Sequence, residues 1–262
     1  MMGANTQLSK AALASLKAIS VASKTHGLSF WQSPSGKIVV TLGEVHLKLK
    51  RAKLLGKSAV DAFELRAVEG MRFWQPSLST TFAKCLGFLL VFPQLLIRKL
   101  TANQVKGSTI LDAWAATHGK TEALEKGFKP GIRTWWALIG LTSFAPAMSL
   151  GIWLLIHYPM PYWFEMGVLG YEMYFVAGLI PSLLLRHHSW AIFIHPLAGL
   201  IYERDRYMGE QLVRVLEESS EQAALAIMGR AHLKGFGLVL QSHGFTKVEA
   251  SEVLPDYIVS AT

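Results

Sequence analysis

From Thr134 to Tyr158 the chain runs for 25 residues without a Lys, Arg, Asp or Glu. At about 1.5 Å per residue, a helix of that length crosses a hydrocarbon core of about 30 Å. Trp135 and Trp136 stand at one end and His157 and Tyr158 at the other, where aromatic belts meet two membrane surfaces. Pro146 offers a kink. The alternative, a buried helix of a large soluble core, seldom runs so long without charge. Pro159-Met160-Pro161 then breaks the chain, and Trp163 to Leu185 returns as a second span ending on Arg186, His187 and His188. Glu172 lies near the middle of that span, where a carboxylate must be paired, protonated or turned to a polar cavity. A hydrogen bond to the neighbouring helix is its plainest role, because the first span has no basic partner to offer.

The rest of the composition fits a membrane protein. The chain is 51% hydrophobic and only 17% charged, yet carries a net charge of +8. That balance favours membrane lipid with an anionic surface as partner. No nucleic-acid motif is visible, and the aromatics sit in apolar runs rather than among basic residues, so no nucleic acid is expected. The single cysteine, Cys85, excludes an intramolecular disulfide and reads as a buried, inert thiol. Cys85 to Ile97 is apolar but short and holds Pro93, so it reads as interfacial or re-entrant. Ser189 to Tyr202, broken at His195-Pro196, reads as a half-span or a docking helix. Met1 to Gly43 contains no Asp or Glu, and Lys10, Lys17 and Lys24 share one helical face. That is the composition of a mitochondrial import helix without its arginines; an amphipathic helix on a membrane or on the domain is the plainer alternative. A bacterial or other cell membrane remains the alternative location.

Two soluble stretches flank the greasy middle. Lys37 to Leu42 follows the turn Ser33-Pro34-Ser35-Gly36 and reads as a buried strand, and Val60 to Leu65 as a second. Leu47 to Gly56 and Lys120 to Lys126 read as helical. Arg204 to Leu216 reads as an amphipathic helix, Ala223 to Met228 as a last strand, and Gly235 to Ser242 as a helix stopped by Gly244. The domains expected are a basic segment 1–30, a first half-domain 31–80, a membrane region 81–202 and a second half-domain 203–262.

Gly43-Glu44-Val45-His46-Leu47-Lys48 follows the first strand, and Gly229-Arg230-Ala231-His232-Leu233-Lys234 follows the last. Strand, Gly-x-x-His-Leu-Lys, helix occurs twice. Loops at the carboxyl ends of strands line the ligand crevice of an α/β sheet. If the two strands are parallel neighbours, both imidazoles converge, and Glu64 at the end of the second strand adds a carboxylate. Two nitrogens and a carboxylate suit Zn²⁺, Mn²⁺, Co²⁺ or Fe²⁺ with open positions for water. Taken singly, a His after a strand is more often a capping or hydrogen-bonding residue.

These residues resemble the TraB family, which includes the pheromone-shutdown proteins and is related to the Tiki proteases. The resemblance rests on the two G-x-x-H motifs, Glu64, the helix Glu203-Arg204-Asp205-Arg206-Tyr207-Met208, and Gly229 to His232 with Gly235. It covers roughly 37–73 and 203–245. Glu44 departs from the usual second motif position, and Arg66 and Arg72 both compete for the family's arginine after the acidic residue. The resemblance implies an α+β fold, a mixed central sheet with flanking helices, here interrupted by a transmembrane helical hairpin. It also implies metal-dependent peptidase chemistry on a peptide or protein substrate. In that reading His46, Glu64 and His232 hold a divalent Mn, Co or Zn ion. Glu44 acts as general base or fourth ligand, and Arg204 or Arg206 clamps a carboxylate or oxyanion. Salt bridges to Glu203 or Asp205 are the ordinary alternative for both arginines. A non-enzymatic scaffold, tether or signalling protein built on the same domain is the alternative function. A single site further requires an even number of spans between Phe73 and Glu203. The seven basic and three acidic residues of 98–133 place the entry to the first span in the cytosol-like compartment.

Overall fold

Short β-branched and alanine-rich runs build one sheet of six strands. The computed structural model describes residues 27–44, 63–105 and 121–249. The strands are β1 (Gly27–Gln32), β2 (Ile38–Glu44), β3 (Leu65–Val68), β4 (Thr121–Ala123), β5 (Ala223–Gly229) and β6 (Thr246–Val248). Among the described residues five α-helices accompany them: α1 (Leu78–Val105), α2 (Ile132–His157), α3 (Tyr162–Leu185), α4 (Pro196–Glu218) and α5 (Leu233–Ser242). The spatial order is β4-β3-β5-β2-β1-β6, with β4, β3, β5 and β2 parallel and β1 and β6 antiparallel to their neighbours. The mixed central sheet with helices is the α+β class expected from sequence. The expected helix over Lys120 to Lys126 is instead β4 and a turn.

Contacts divide the chain into two units. One takes Met1–Phe73, Leu95–Lys126 and Arg206–Thr262; the other takes Trp74–Gln94 and Gly127–Asp205. In the first unit, all four residues of β3 and nearly all of β5 are buried, so both faces of the parallel region are covered. Met208, Leu212 and Leu216 repeat every four residues along α4 and join Phe236 and Leu240 of α5 over Val39, Leu65, Ala224 and Ala226. Contact there is close: a Cβ added to Gly209 would meet Val239 Cγ1 at 2.6 Å. Lys37 Nζ donates to the carbonyls of Leu216 and Ser219 at 2.7 and 2.6 Å, closing the carboxyl end of α4 with a cation. Gly244, at φ 81°, follows α5 as expected for its stop.

The second unit is mostly helix. Ser77 caps α1, its Oγ accepting the Thr80 N–H at 3.0 Å. α1 runs through the short apolar segment that the sequence reads as separate, and Cys85 is exposed on it rather than buried. The reason is that the surrounding apolar side chains, Phe82, Phe88 and Leu89 among them, are exposed as well. Among the described residues one helix, α2, is long and apolar enough to cross a membrane, and 6% of its most apolar stretch is buried. A soluble core helix would be mostly covered. α2 packs on α3 through Phe144, stacked 4.4 Å from Phe175, and through Gly151, where an added Cβ would lie 3.1 Å from Val168 Cγ2. Ser189–Phe193 forms a 3-10 turn, and the chain docks on α3 at Gly178, where a Cβ would stand 3.0 Å from the Ile194 carbonyl. His195 is buried there, its Nδ1 accepting the Leu197 N–H at 3.2 Å. Pro196 then opens α4, a position that lacks a helical N–H partner anyway.

Candidate functional site at the carboxyl edge of the sheet

β5 comes from the last quarter of the chain, yet it sits between β2 and β3. It is parallel to both, so three carboxyl ends lie side by side. Glu44 pairs with Gly229, and Val68 with Ile227. Gly43-Glu44 and Gly229, which open the two Gly-x-x-His segments, therefore lie on adjacent strands at the same edge. Gly43 faces the second motif: an added Cβ would lie 2.3 Å from Leu233 Cδ1 and 3.2 Å from Arg230 Cα. Its need for glycine is close approach, not a left-handed backbone.

The second motif turns through a 3-10 segment, Arg230–His232, before α5. That turn buries His232. Its Nε2 lies 3.3 Å from Glu69 Oε1, and the two side chains are only 6% and 9% exposed. The other oxygen, Oε2, accepts the Gly229 N–H at 2.6 Å. The carboxylate that follows β3 is thus fixed by the backbone of β5 and turned toward the imidazole that follows β5. In the low dielectric of a buried edge such a charge-assisted contact is strong. A second carboxylate holds the residue after Glu69: Glu125, fully buried after β4, accepts the Gly70 N–H at 2.9 Å. The Tyr207 hydroxyl on α4 donates to the next carbonyl, Lys126, at 2.6 Å. Burial raises the Tyr207 pKa above the ordinary phenol value; the Arg214 charge opposes this and the Glu125 carboxylate adds to it.

The placement corrects several expectations. Glu64 does not end a strand: β3 starts one residue after it, so Glu64 is exposed at the amino end, away from His232. The acidic residue at the carboxyl end is Glu69. Arg66 is buried on β3, donating from Nε to the Phe63 carbonyl at 2.7 Å. Arg206 is 65% exposed and pairs with Glu210 one turn on, at 2.9 Å, so it lies on a solvated helix face instead of the buried edge. Arg204 is half-buried on α4 in the helical unit. Glu203 is not a partner for these arginines. It accepts the backbone N–H of Thr134 at 2.9 Å and of Arg133 at 3.3 Å, and the Thr134 hydroxyl, at the amino end of α2. Gly131 leaves room for it, since a Cβ there would fall 2.6 Å from Glu203 Oε1. β2 runs two residues past the expected end at Leu42, so Glu44 closes the strand instead of following it. His46 and the helix expected over Leu47 to Gly56 lie outside the described residues, as does Met1 to His26.

The sequence reading overlooks Glu69 because it ends the strand at Leu65, three residues before the observed end at Val68; the pair Glu69-Gly70, a turn signal closing Leu-Arg-Ala-Val, marks the true end. Nothing in the local sequence marks Glu125. As a test for a metal, two adjacent ligands of a small tetrahedral ion with bonds of about 2.0–2.2 Å stand about 3.3 Å apart. The separation of Nε2 and Oε1 is the same, and the Gly229 N–H orients the carboxylate as outer-shell donors do. Among the described residues no group of three or more His, Cys, Asp or Glu is placed to hold an ion. Compared with known proteins, the chain matches no family model, no curated protein and no solved structure. The functional reading therefore rests on the residues themselves.

Proposed function

We propose that this chain is a membrane-anchored, metal-dependent hydrolase of the TraB type acting on peptide-like substrates. α2 and α3 form its transmembrane hairpin, and the sheet unit carries its site. One observation carries the reading: β2 and β5, each leading into a Gly-x-x-His segment, are hydrogen-bonded parallel neighbours, with Glu69 held against His232 from β3. The exposed apolar surface of α2 and α3 supports the anchor, because side chains such as Ile156, Trp163, Val176 and Ile180 face outward without cover in this chain.

The chain's own groups supply the arrangement. The Gly229 N–H holds Glu69 Oε2, so Oε1 keeps one direction. His232 is set by the 3-10 turn and by that carboxylate, and Glu44 ends β2 on the neighbouring strand. A divalent ion bound by His232, Glu69 and His46 would lower the pKa of a bound water toward neutrality. Burial of the edge keeps competing water out and strengthens the charges. Glu44, the last residue of β2, is the general base of this proposal.

The scaffold reading is favoured by one fact: both oxygens of Glu69 already stand against protein nitrogens, which a purely structural pair would also show. One experiment separates them. The full chain, reconstituted and stripped of metal, is offered a peptide library with Mn²⁺, Co²⁺ or Zn²⁺ restored. Metal-dependent cleavage that disappears in Glu69→Gln and His232→Ala is expected. Absence of cleavage with every ion, in protein whose wild-type fold is intact, supports the scaffold instead.

A further inference from the structure

A cavity of about 410 Å³ opens beside the first turn of α2, lined by Ile132, Arg133, Trp136, Tyr174, Ile192 and Phe193. All six belong to the helical unit. Three rim residues, Ile132, Trp136 and Phe193, are large, apolar and exposed, so in water this mouth would be a costly patch. Arg133 is the exception in the lining. It is half-buried, and its guanidinium rests over the Tyr202 ring at 5.0 Å. Among the described residues no carboxylate pairs with it. The nearby Glu203 carboxylate is engaged by the backbone of Arg133 and Thr134 instead.

We infer that this cavity binds one phospholipid with an anionic headgroup, an acyl chain lying against Trp136, Ile192 and Phe193 and the phosphate against Arg133. The inference rests on the membrane anchoring proposed above. The chemistry is complementary at both ends: an apolar wall takes hydrocarbon, and a guanidinium fork takes phosphate oxygens in two parallel hydrogen bonds. The position fits as well. Arg133 stands at the entry of the apolar helix α2, beside Trp135 and Trp136, where headgroups lie. A free anion would use the guanidinium but leave the apolar wall bare.

The test uses the full chain in a mild detergent. Phosphatidylglycerol or phosphatidylcholine is added, and native mass spectrometry counts the lipid retained. Wild type is expected to keep one phosphatidylglycerol in preference to phosphatidylcholine. Arg133→Gln lowers that occupancy about fivefold, equivalent to about 1 kcal/mol. Arg133→Lys retains most of it, and Phe193→Asp, at an exposed rim position, lowers the occupancy of both lipids. Equal retention of the two lipids by wild type, unchanged retention in Arg133→Gln, or displacement of the lipid by inorganic phosphate overturns the inference. Insertion into phosphatidylcholine vesicles, tested by resistance to carbonate extraction, is measured in parallel. Failure to insert sinks the membrane anchor and this site together, whereas insertion without lipid preference sinks only this site.

Discussion

Gly43→Ala is the sharpest probe of how the two Gly-x-x-His segments fit together. A Cβ at this position would lie 2.3 Å from Leu233 Cδ1, 2.9 Å from Leu233 Cγ and 3.2 Å from Arg230 Cα. Leu233, packed against the core, can give way only at a cost. The Arg230 backbone, held in the 3-10 turn that positions His232, cannot. Overpacking of this kind costs about 1–3 kcal/mol. With no clash, the same substitution would stabilise by about 0.4–1 kcal/mol, because the unfolded chain loses freedom. The sign of the effect is therefore diagnostic. At about 2 kcal/mol the thermal midpoint falls by about 4–8 °C, on the scale for 150–250 residues. Hydrogen exchange of β2 and β5 amides in detergent-solubilised full chain confines the reading to the sheet. Pairing the change with Leu233→Ala removes the nearest atoms, so the double variant should be more stable than the two single losses added, by about 1 kcal/mol. A Gly43→Ala protein as protected as wild type, or a strictly additive pair, would refute the interlocked arrangement.

Two other perturbations follow from the helix ends and the edge. Glu203→Ala should lower the stability of the helical unit by about 1–2 kcal/mol, since it removes the acceptor and the negative charge at the start of α2. Glu203→Gln should lose less, and equal losses in exchange protection at Thr134 would contradict the cap. Tyr207 tests the neighbourhood of Glu125. Its pKa is raised in the fold, above the unfolded value near about 10, so its contribution is intact below about pH 10 and disappears as pH climbs through the folded value. Wild type should therefore lose stability more steeply than Tyr207→Phe above about pH 10. Parallel curves would show that the surroundings of the hydroxyl do not disfavour the phenolate.

Much of this arrangement is legible in the sequence. The β-branched run after Ser33-Pro34-Ser35-Gly36 and the run Ala223 to Met228 form strands as their composition predicts, and they pair in parallel. The uncharged stretch after Arg133 forms one long helix, and Gly244 stops the last helix. What was not legible depends on tertiary context. β3 is four residues long and lies against β5 from the far end of the chain, so its phase is set by that pairing and not by local pattern. Ending the strand at Leu65 points to Glu64 as the carboxylate at its carboxyl end, whereas Glu64 precedes β3 and Glu69 follows it. β4 and β6 have three residues each and exist only as additions to a formed sheet. The cap supplied by Glu203 joins residues 69 positions apart in sequence. Cys85 was misplaced for a different reason: an apolar run reads as core, but here its surface is exposed.

The central claim is that both Gly-x-x-His segments and Glu69 build one metal centre. Titration of the metal-free full chain with Co²⁺, followed by visible absorption, tests it directly, because intense bands report low-coordinate nitrogen and oxygen ligation. One Co²⁺ per wild-type chain is predicted, with the bands lost or strongly altered in His46→Ala, in Glu69→Gln and in His232→Ala, and unaffected in Glu64→Gln. Binding that survives the loss of either histidine, or no stoichiometric binding at all, would contradict the account.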